Sequence, residues 1–500
     1  MLHPVMHLAV DLGAESGRAI LGRFDGERLS LSELHRFGNG PVRLNDGLHW
    51  DVLHLWTEVK ASIAHAAHQS SGALASVGLD TWGVDFALLD RAGALVANPF
   101  HYRDSRTDGM LEEAFRRAPR ETIFARTGIQ LMQINTLYQL LAMVIQRSPA
   151  LEIAHTFLTI PDLFNFWLTG RTACEFSNAT TTQCYDPTRR GWADPLLAVM
   201  GIPRQLFPEV IAPGTLLGPL ASAVAAEIGS AQIPVVAPAC HDTGSAVAAV
   251  PAAGPGFAWI SSGTWSVMGA ELPEAIITGA SRAHNFTNEG GVGGTYRFSK
   301  NIMGLWLVQE CRRTWAAQGE ELSYSELARL AAEAEPFRCL VDPDDAEFLK
   351  PGDMPARIRA YCQRTGQSLP VSKGEIIRSA LEGIALKYRW VLERLEAMIP
   401  RAWLGAGGRL EPIYIVGGGA QNRLLSQFAA DAIGRQVITG LVEATAIGNL
   451  AVQLMATGAL GSLIQARDLV RRSFPVEVFE PQDSARWDEE YGRFCVLIAG

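Results

Sequence analysis

One piece of local grammar occurs twice in this chain and narrows its fold more than any other feature. An apolar run, a short polar bend carrying glycine and a second apolar run appear first as HLAV, DLGAES and GRAILGRF, from His7 to Phe24. They appear again as FAWI, SSGT and WSVMGAEL, within Gly256 to Leu272. Each reads as a β-hairpin bent at glycine. A supersecondary unit repeated within one chain points to two structurally similar halves. The pattern repeats while residue identity between the copies is slight.

The segments between and after the hairpins alternate in type. SVGLDTWGVDFALLD (76–90) is strand-like, INTLYQLLAMVIQR is helix-like, and IPVVAPACHDTGSAVAAV is an apolar strand running through a polar turn into a small-residue helix. Lys300 to Trp315 and Ser372 to Met398 carry apolar positions at helical spacing, and PIYIVGGGAQNRLLSQFAADAIG reads as strand, glycine turn and amphipathic helix. The chain is therefore α/β. The Pro- and Gly-rich PAAGPG places a boundary before the second hairpin, giving domains 1–248 and 249–500 with a cleft expected between them.

Composition excludes several partners. With 48% apolar and 19% charged residues the chain is expected to fold throughout. Its net charge of −9 and the lack of any run of five lysines and arginines exclude nucleic acid and anionic membrane as partners. A nucleotide is still compatible, because backbone N–H groups, helix ends and Mg²⁺ hold phosphates without net positive charge. Seven dispersed cysteines without a C-x-x-C pair read as reduced thiols, and no stretch of 18 apolar residues occurs, so a cytoplasmic location is expected. Monomer and homodimer fit equally well. ASIAHAAHQSSG reads as a solvated helix end rather than a metal tract.

Asp11, Gly13, Ser16 and Arg18 share the first bend, where glycine admits a phosphate to the backbone, a carboxylate can hold hydrated Mg²⁺ and a cation can offset phosphate charge. Ser262, Gly263 and Thr264 offer a hydroxyl and amides on the second bend. His241, Asp242 and Thr243 follow an apolar strand and open a helix, so Asp242 stands where open α/β sheets place ligands and where a carboxylate can take the proton of an attacking hydroxyl. An N-cap is the plain alternative for that aspartate.

Gly417, Gly418 and Gly419 with Asn422 would admit an adenosine at a helix start. The run lacks the GxGxxG spacing of a dinucleotide fold, and a plain left-handed turn is its other reading. Trp82, Gly83 and Asp85 break an apolar strand with groups suited to a polyhydroxylated ligand, or else form core around a satisfied aspartate. Tyr102 to Arg106 reads as an internal ion-pair network. Asn301 and Gln309, eight residues apart, fall close to one face of an expected helix.

In order along the chain, VDLGAESGR, DTWGVDF, YRDSR, NATTTQ, HDTGSAV, SSGTWS, NEGG, KNIMGLW, VGGGAQN and VEATAIGN resemble the FGGY carbohydrate kinase family, most closely the branch acting on L-rhamnulose. The resemblance spans about residue 8 to about 455. It implies two ribonuclease H-like domains of the actin and hexokinase type, an active-site cleft between them, and transfer of the γ-phosphate of ATP to O1 of L-rhamnulose. It implies Asp242 as proton acceptor, Asp11 as the Mg²⁺ residue, and Gly83, Trp82, Asp85, His241, Thr243 and Asn301 around the sugar. Ala14, Glu15, Ser16, Gly17, Arg18, Thr264, Gln309, Gly418, Gly419 and Asn422 would meet ATP. Glu15 stands where the family carries a small hydroxyl residue, and a carboxylate beside phosphates is repulsive unless it points away. An L-fuculose or L-ribulose kinase is the nearer rival. An actin-like nucleotide switch, which needs no sugar pocket, is the more distant one.

Overall fold

The computed structural model describes residues 4–499. The chain forms two compact units, and neither is continuous in sequence. The first comprises the residues up to Ala253 with Glu271–Phe298 and Ala444–Ser473; the second comprises Gly254–Ala270, Ser299–Glu443 and the residues from Phe474 onward. The expected division at residue 248 runs straight through the sequence, whereas Ala444–Ser473 returns to the first unit. The return is built on close helix packing: an added Cβ on Gly448 would lie 1.7 Å from the Ser245 carbonyl oxygen, so only glycine lets helix Ala444–Ala456 approach helix Asp242–Ala248 this closely.

In the first unit, Val5–Leu12 (β1), Ser16–Phe24 (β2) and Leu29–Gly38 (β3) form an antiparallel meander. Leu74–Thr81 (β4) runs parallel to β1, and Pro234–Ala237 (β6) runs parallel to β4, with Thr215–Pro219 (β5) antiparallel at the edge. The strand order is β5-β6-β4-β1-β2-β3. Six consecutive residues of β1 are buried, which marks an interior strand covered on both faces. Helix Val52–Gln69 covers it with Leu55, Val59, Ile63 and Ala66 at helical spacing, and the Asp51 side chain caps its start by accepting from His54 N.

The second unit repeats the plan. Ala258–Ser262 (β7) and Trp265–Leu272 (β8) are the second hairpin, Tyr296–Met303 (β9) flanks β8, and Ile413–Val416 (β10), Val437–Thr439 (β11) and Glu477–Phe479 (β12) complete the run β9-β8-β7-β10-β11-β12. β10 is parallel to β7, β11 is parallel to β10, and β12 is antiparallel. Both sheets thus share one order and polarity, that of the ribonuclease H-like fold. The 26-residue helix Lys373–Met398 lies where its periodicity placed it, opened by a Ser372/Glu375 capping box.

Two expectations change. Lys300–Met303 is the end of strand β9, and the helix begins only at Trp306, so Asn301 and Gln309 do not share a helix face. Pairing in the sheet overrides the helical spacing of that short window, and Gly304 turns the chain: a Cβ there would meet Ser266 Oγ at 2.7 Å and the Gly263 carbonyl at 2.8 Å. Residues 76–90 form two strands, β4 and Phe86–Leu89, broken at Val84, whose φ of +67° is rare for a β-branched residue. Among the described residues, no helix is long and apolar enough to cross a membrane.

Candidate functional site

The carboxyl ends of the parallel strands in the first unit bring the chemistry together. Register pairs Asp11 of β1 with Asp80 of β4, then Leu12 with Thr81, and Thr81 bridges His241 beyond the end of β6. Asp11 accepts from Arg18 Nε and Nη2, both at 2.9 Å from Oδ2. Asp80 is fully buried; its Oδ2 accepts from Asn449 Nδ2 at 2.6 Å, and its Oδ1 has no hydrogen-bond partner among the described residues. Burial, then the charge of Asp11 and that of Asp242, push the Asp80 carboxyl well above its ordinary range. Arg18 offsets the charge of Asp11, and Asp80 answers the crowding by holding its proton more tightly, so a cation arriving here would favour its ionised form.

The first bend closes when Gly13 N donates to Ser16 O at 2.9 Å, and Asn39 braces it through Glu15 O and Gly13 O. Ala14 and Ser16 are partly buried, while Glu15 is exposed and so directed away from the sheet. Gly17 answers to packing rather than to a ligand: it lies within β2, and its Cβ would sit 2.2 Å from the Phe37 ring.

Asp242 opens its helix with a divided carboxylate. Oδ1 accepts from Thr243 N at 2.5 Å and Thr243 Oγ1 at 3.0 Å, whereas Oδ2 meets no donor among the described residues, and the side chain is 32% exposed. The backbone before it is held by Glu175, whose Oε2 accepts from Cys240 N at 2.9 Å and Ser177 Oγ at 2.5 Å. Ser177 Oγ in turn accepts from His241 N at 3.0 Å. Asn178 Nδ2 donates to the Trp82 carbonyl at 3.2 Å, and Thr181 Oγ1 accepts from Val84 N at 3.0 Å. One buried segment, 175–181, therefore braces both the Cys240–His241 and the Trp82–Val84 backbones.

Asp85 and Trp82 lie elsewhere than the sequence implied. The Asp85 carboxylate is buried and accepts from Trp50 Nε1 at 2.6 Å, Gln139 Nε2 at 2.9 Å, Trp82 Nε1 at 3.0 Å and Tyr102 N at 3.3 Å. Burial pushes it up to about 6 against the pull of those donors. Trp82 is buried against Trp50 with ring centroids 4.0 Å apart. Both are corrected from sugar contacts to supports of the strand break. Gly83 remains partly accessible and is approached by Thr181 Oγ1, 3.0 Å from where a Cβ would stand. In the following loop Arg106 is an internal anchor as expected, donating to Gln139 Oε1 at 2.6 Å.

Asp162 lies behind Glu175. Its Oδ1 accepts from Glu175 N at 3.0 Å and its Oδ2 from the Thr159 hydroxyl, and burial pushes it from an ordinary 3.8 up to about 8, with Glu175 adding to the rise. A folded-state pKa above the unfolded one means that the native form keeps a proton the unfolded chain has lost. This carboxyl therefore stabilises fully below the unfolded value, and its contribution is lost as pH rises through the folded one. Asp162→Asn is expected to flatten the decline of urea-unfolding stability between about pH 6.5 and 8. His7, held down to about 4 by burial, titrates below that window. A variant as steep as wild type would remove Asp162 from this account.

In the second unit, Gly263 O and Thr264 O accept from Leu305 N and Trp306 N at 3.0 and 3.1 Å, so the second bend rests on the start of the helix that carries Gln309. Gly417 has φ +85°, and a Cβ on Gly419 would lie 2.1 Å from Ser262 Oγ, which sets the glycine turn directly against the second bend. Gly418 is exposed and faces open space. Asn422 is a helix N-cap whose side chain accepts from Leu425 N at 3.0 Å, so its carboxamide oxygen is already engaged. Each unit thus assembles its own group, and Asn301 lies on β9, apart from the helix that carries Gln309. Asp80, Glu175 and Ser177 escaped the sequence reading. Only for Asp80 was there a signal: DTWGVD places an aspartate at the end of a strand parallel to that of Asp11.

Residues 6–249 match the N-terminal domain model of the FGGY family of carbohydrate kinases, and residues 258–457 match its C-terminal domain model. A rhamnulokinase from Bacteroides thetaiotaomicron is 43% identical over 98% of this chain and 99% of its own length, and one from Oceanobacillus iheyensis is 40% identical over 95% and 98%. Among solved structures, gluconate kinase from Lactobacillus acidophilus superposes with a TM-score of 0.81 at 14% identity, covering 99% of this chain and 97% of its own. Plasmodium falciparum glycerol kinase with ADP gives 0.79 at 16% identity, covering 99% and 98%. These two carry the fold; the family models and the relatives sharing two residues in five carry the kinship, and on them the chain is a member of the FGGY family of carbohydrate kinases.

Proposed function

We propose that this chain transfers the γ-phosphoryl group of ATP to O1 of L-rhamnulose, with Asp242 taking the proton of the attacking hydroxyl. The observation that supports this most is the division of the Asp242 carboxylate: Thr243 holds Oδ1, while Oδ2 lies open at the carboxyl ends of parallel strands. A base with one oxygen fixed and the other accessible is aimed before the substrate arrives. The rhamnulokinase relatives support the choice of sugar.

His241 and Thr243 flank Asp242, and Gly83 lies on backbone braced by the same buried segment 175–181; all three are assigned to the sugar, as is Asn301 of the second unit. Ala14 and Ser16 on the first bend offer amides to phosphate, and Arg18 both orients Asp11 and places a fixed positive charge there. Thr264, Gln309, Gly418 and Gly419 are assigned to the nucleotide, where the turn at Gly418 leaves room for a planar group. Mg²⁺, when bound, neutralises charge on the phosphates. The unpartnered Oδ1 of buried Asp80 beside Asp11 fits such an ion, whose charge would favour the ionised form of Asp80, with Asp11 the residue to hold it. Among the described residues, no group of three or more ligating side chains is arranged to hold a metal alone, which suits an ion that arrives with its phosphates and keeps most of its waters.

The test is ADP release from MgATP with a panel of ketoses. L-rhamnulose should give the highest kcat/KM, above L-fuculose and L-ribulose. A higher value for another ketose would overturn the substrate, and hydrolysis insensitive to any sugar would overturn the kinase reading.

A further inference from the structure

His241 stands between Asp242 and a buried ion pair. Its ring is 13% exposed, and Nε2 lies 3.4 Å from Asp242 Oδ1. Nδ1 lies 2.9 Å from Arg297 Nη2 and 3.3 Å from Glu289 Oε2, and those two atoms are themselves 3.2 Å apart. The Arg297 side chain is wholly buried and its Nε donates to the Gly290 carbonyl at 2.9 Å. Gly290 N is tied to Thr180 Oγ1 at 2.7 Å, so the backbone that accepts from the guanidinium is itself held in place. Burial acts to raise Glu289, and the charge of Arg297 is the largest influence holding that carboxyl below its ordinary value. Glu289 is therefore the counter-ion that lets an arginine sit here.

Nδ1 can be donor or acceptor, but not toward both neighbours. An N–H on Nδ1 aimed at Glu289 would set two donors against each other at the Arg297 contact, the shortest of the three, and a guanidinium cannot give up its protons to relieve the conflict.

We infer that Arg297, braced by Glu289, is a positioning residue that fills the Nδ1 lone pair of His241 and leaves that ring's one N–H on Nε2. Two consequences follow if His241 borders the sugar, as the proposed function assigns. The ring presents a donor, so what it recognises is an acceptor oxygen of the ketose, a carbonyl or a hydroxyl lone pair. The ring also has no lone pair left to act as a base, so the substrate proton has one destination, Asp242.

The test uses full-length protein labelled with ¹⁵N-histidine, with the His241 signals assigned by their loss in His241→Gln. Long-range ¹H–¹⁵N correlation of the unliganded wild type at pH 7.5 should show a neutral ring protonated at Nε2. Protonation at Nδ1, or at both nitrogens, would overturn the inference without any variant having to fold. Arg297→Met should move the proton to Nδ1, facing Glu289, and lower kcat/KM for the sugar about 10- to 100-fold, mostly through KM, with KM for ATP unchanged. An unchanged tautomer and sugar KM in that variant would equally overturn it. Failure of the proposed function would instead show as ADP release insensitive to every ketose, with the tautomer as inferred.

Discussion

Asp242→Asn should bind ATP and sugar nearly as wild type while its kcat falls about 10²- to 10⁴-fold, the usual size of a general-base contribution. The substitution is close to isosteric. The Asn oxygen can still accept from Thr243 N and Oγ1, so the start of helix Asp242–Ala248 stays in place, and what changes is the open atom, from a carboxylate oxygen to an NH₂ that takes no proton. Binding would be read by calorimetry with each substrate and turnover by coupled ADP release. If the loss appeared in the sugar KM alone, the residue would be a binding group, and near-normal kcat would remove it from the chemistry.

The parts legible in the sequence are those whose physics is local. Two hairpins announce themselves by period-two patterning around glycine bends, and the Ser372/Glu375 box marks the start of the long helix that follows it. Asp242 could be found because an apolar strand, a polar turn and a small-residue helix are contiguous. Buried polar groups, by contrast, take their meaning from distant partners. Asp85 looked like a sugar ligand because the donors that satisfy it come from Trp50 and Gln139, dozens of residues away in both directions. Glu175 reads as an ordinary N-cap, and it does cap its helix, but the bonds that matter go to Cys240 and, through Ser177, to His241. Asn301 was read on a helix because strand pairing, which depends on β8, outweighed the spacing within its own window. Arg297 carried no local signal, since a lone arginine in a strand looks like surface until its counter-ion is known.

Glu175 yields the second large effect. Its carboxylate is fully buried and accepts four bonds, from Ser177 N, Ser177 Oγ, Asn178 N and Cys240 N, with burial raising it to about 6 against their pull. Oε2 takes three of the four, so Glu175→Gln must turn either its NH₂ or its lone remaining acceptor toward a cluster built for oxygen. Leaving one or two buried N–H groups unpaired costs on the order of 2–4 kcal/mol, enough to lower Tm by several degrees in a domain of this size. Activity should fall further than stability explains. Cys240 and His241 are the residues on which Asp242 is mounted, and a shift of about 1 Å in a reacting group costs about 10²-fold in rate. Folded Glu175→Gln, assayed below its own transition, is therefore expected to lose about two orders of magnitude in kcat, while Ser222→Ala, an exposed change at the start of another helix in the same unit, should leave both quantities at wild-type values. A variant with reduced Tm but full kcat would show that Glu175 only stabilises the fold and that Asp242 is aimed by Thr243 alone.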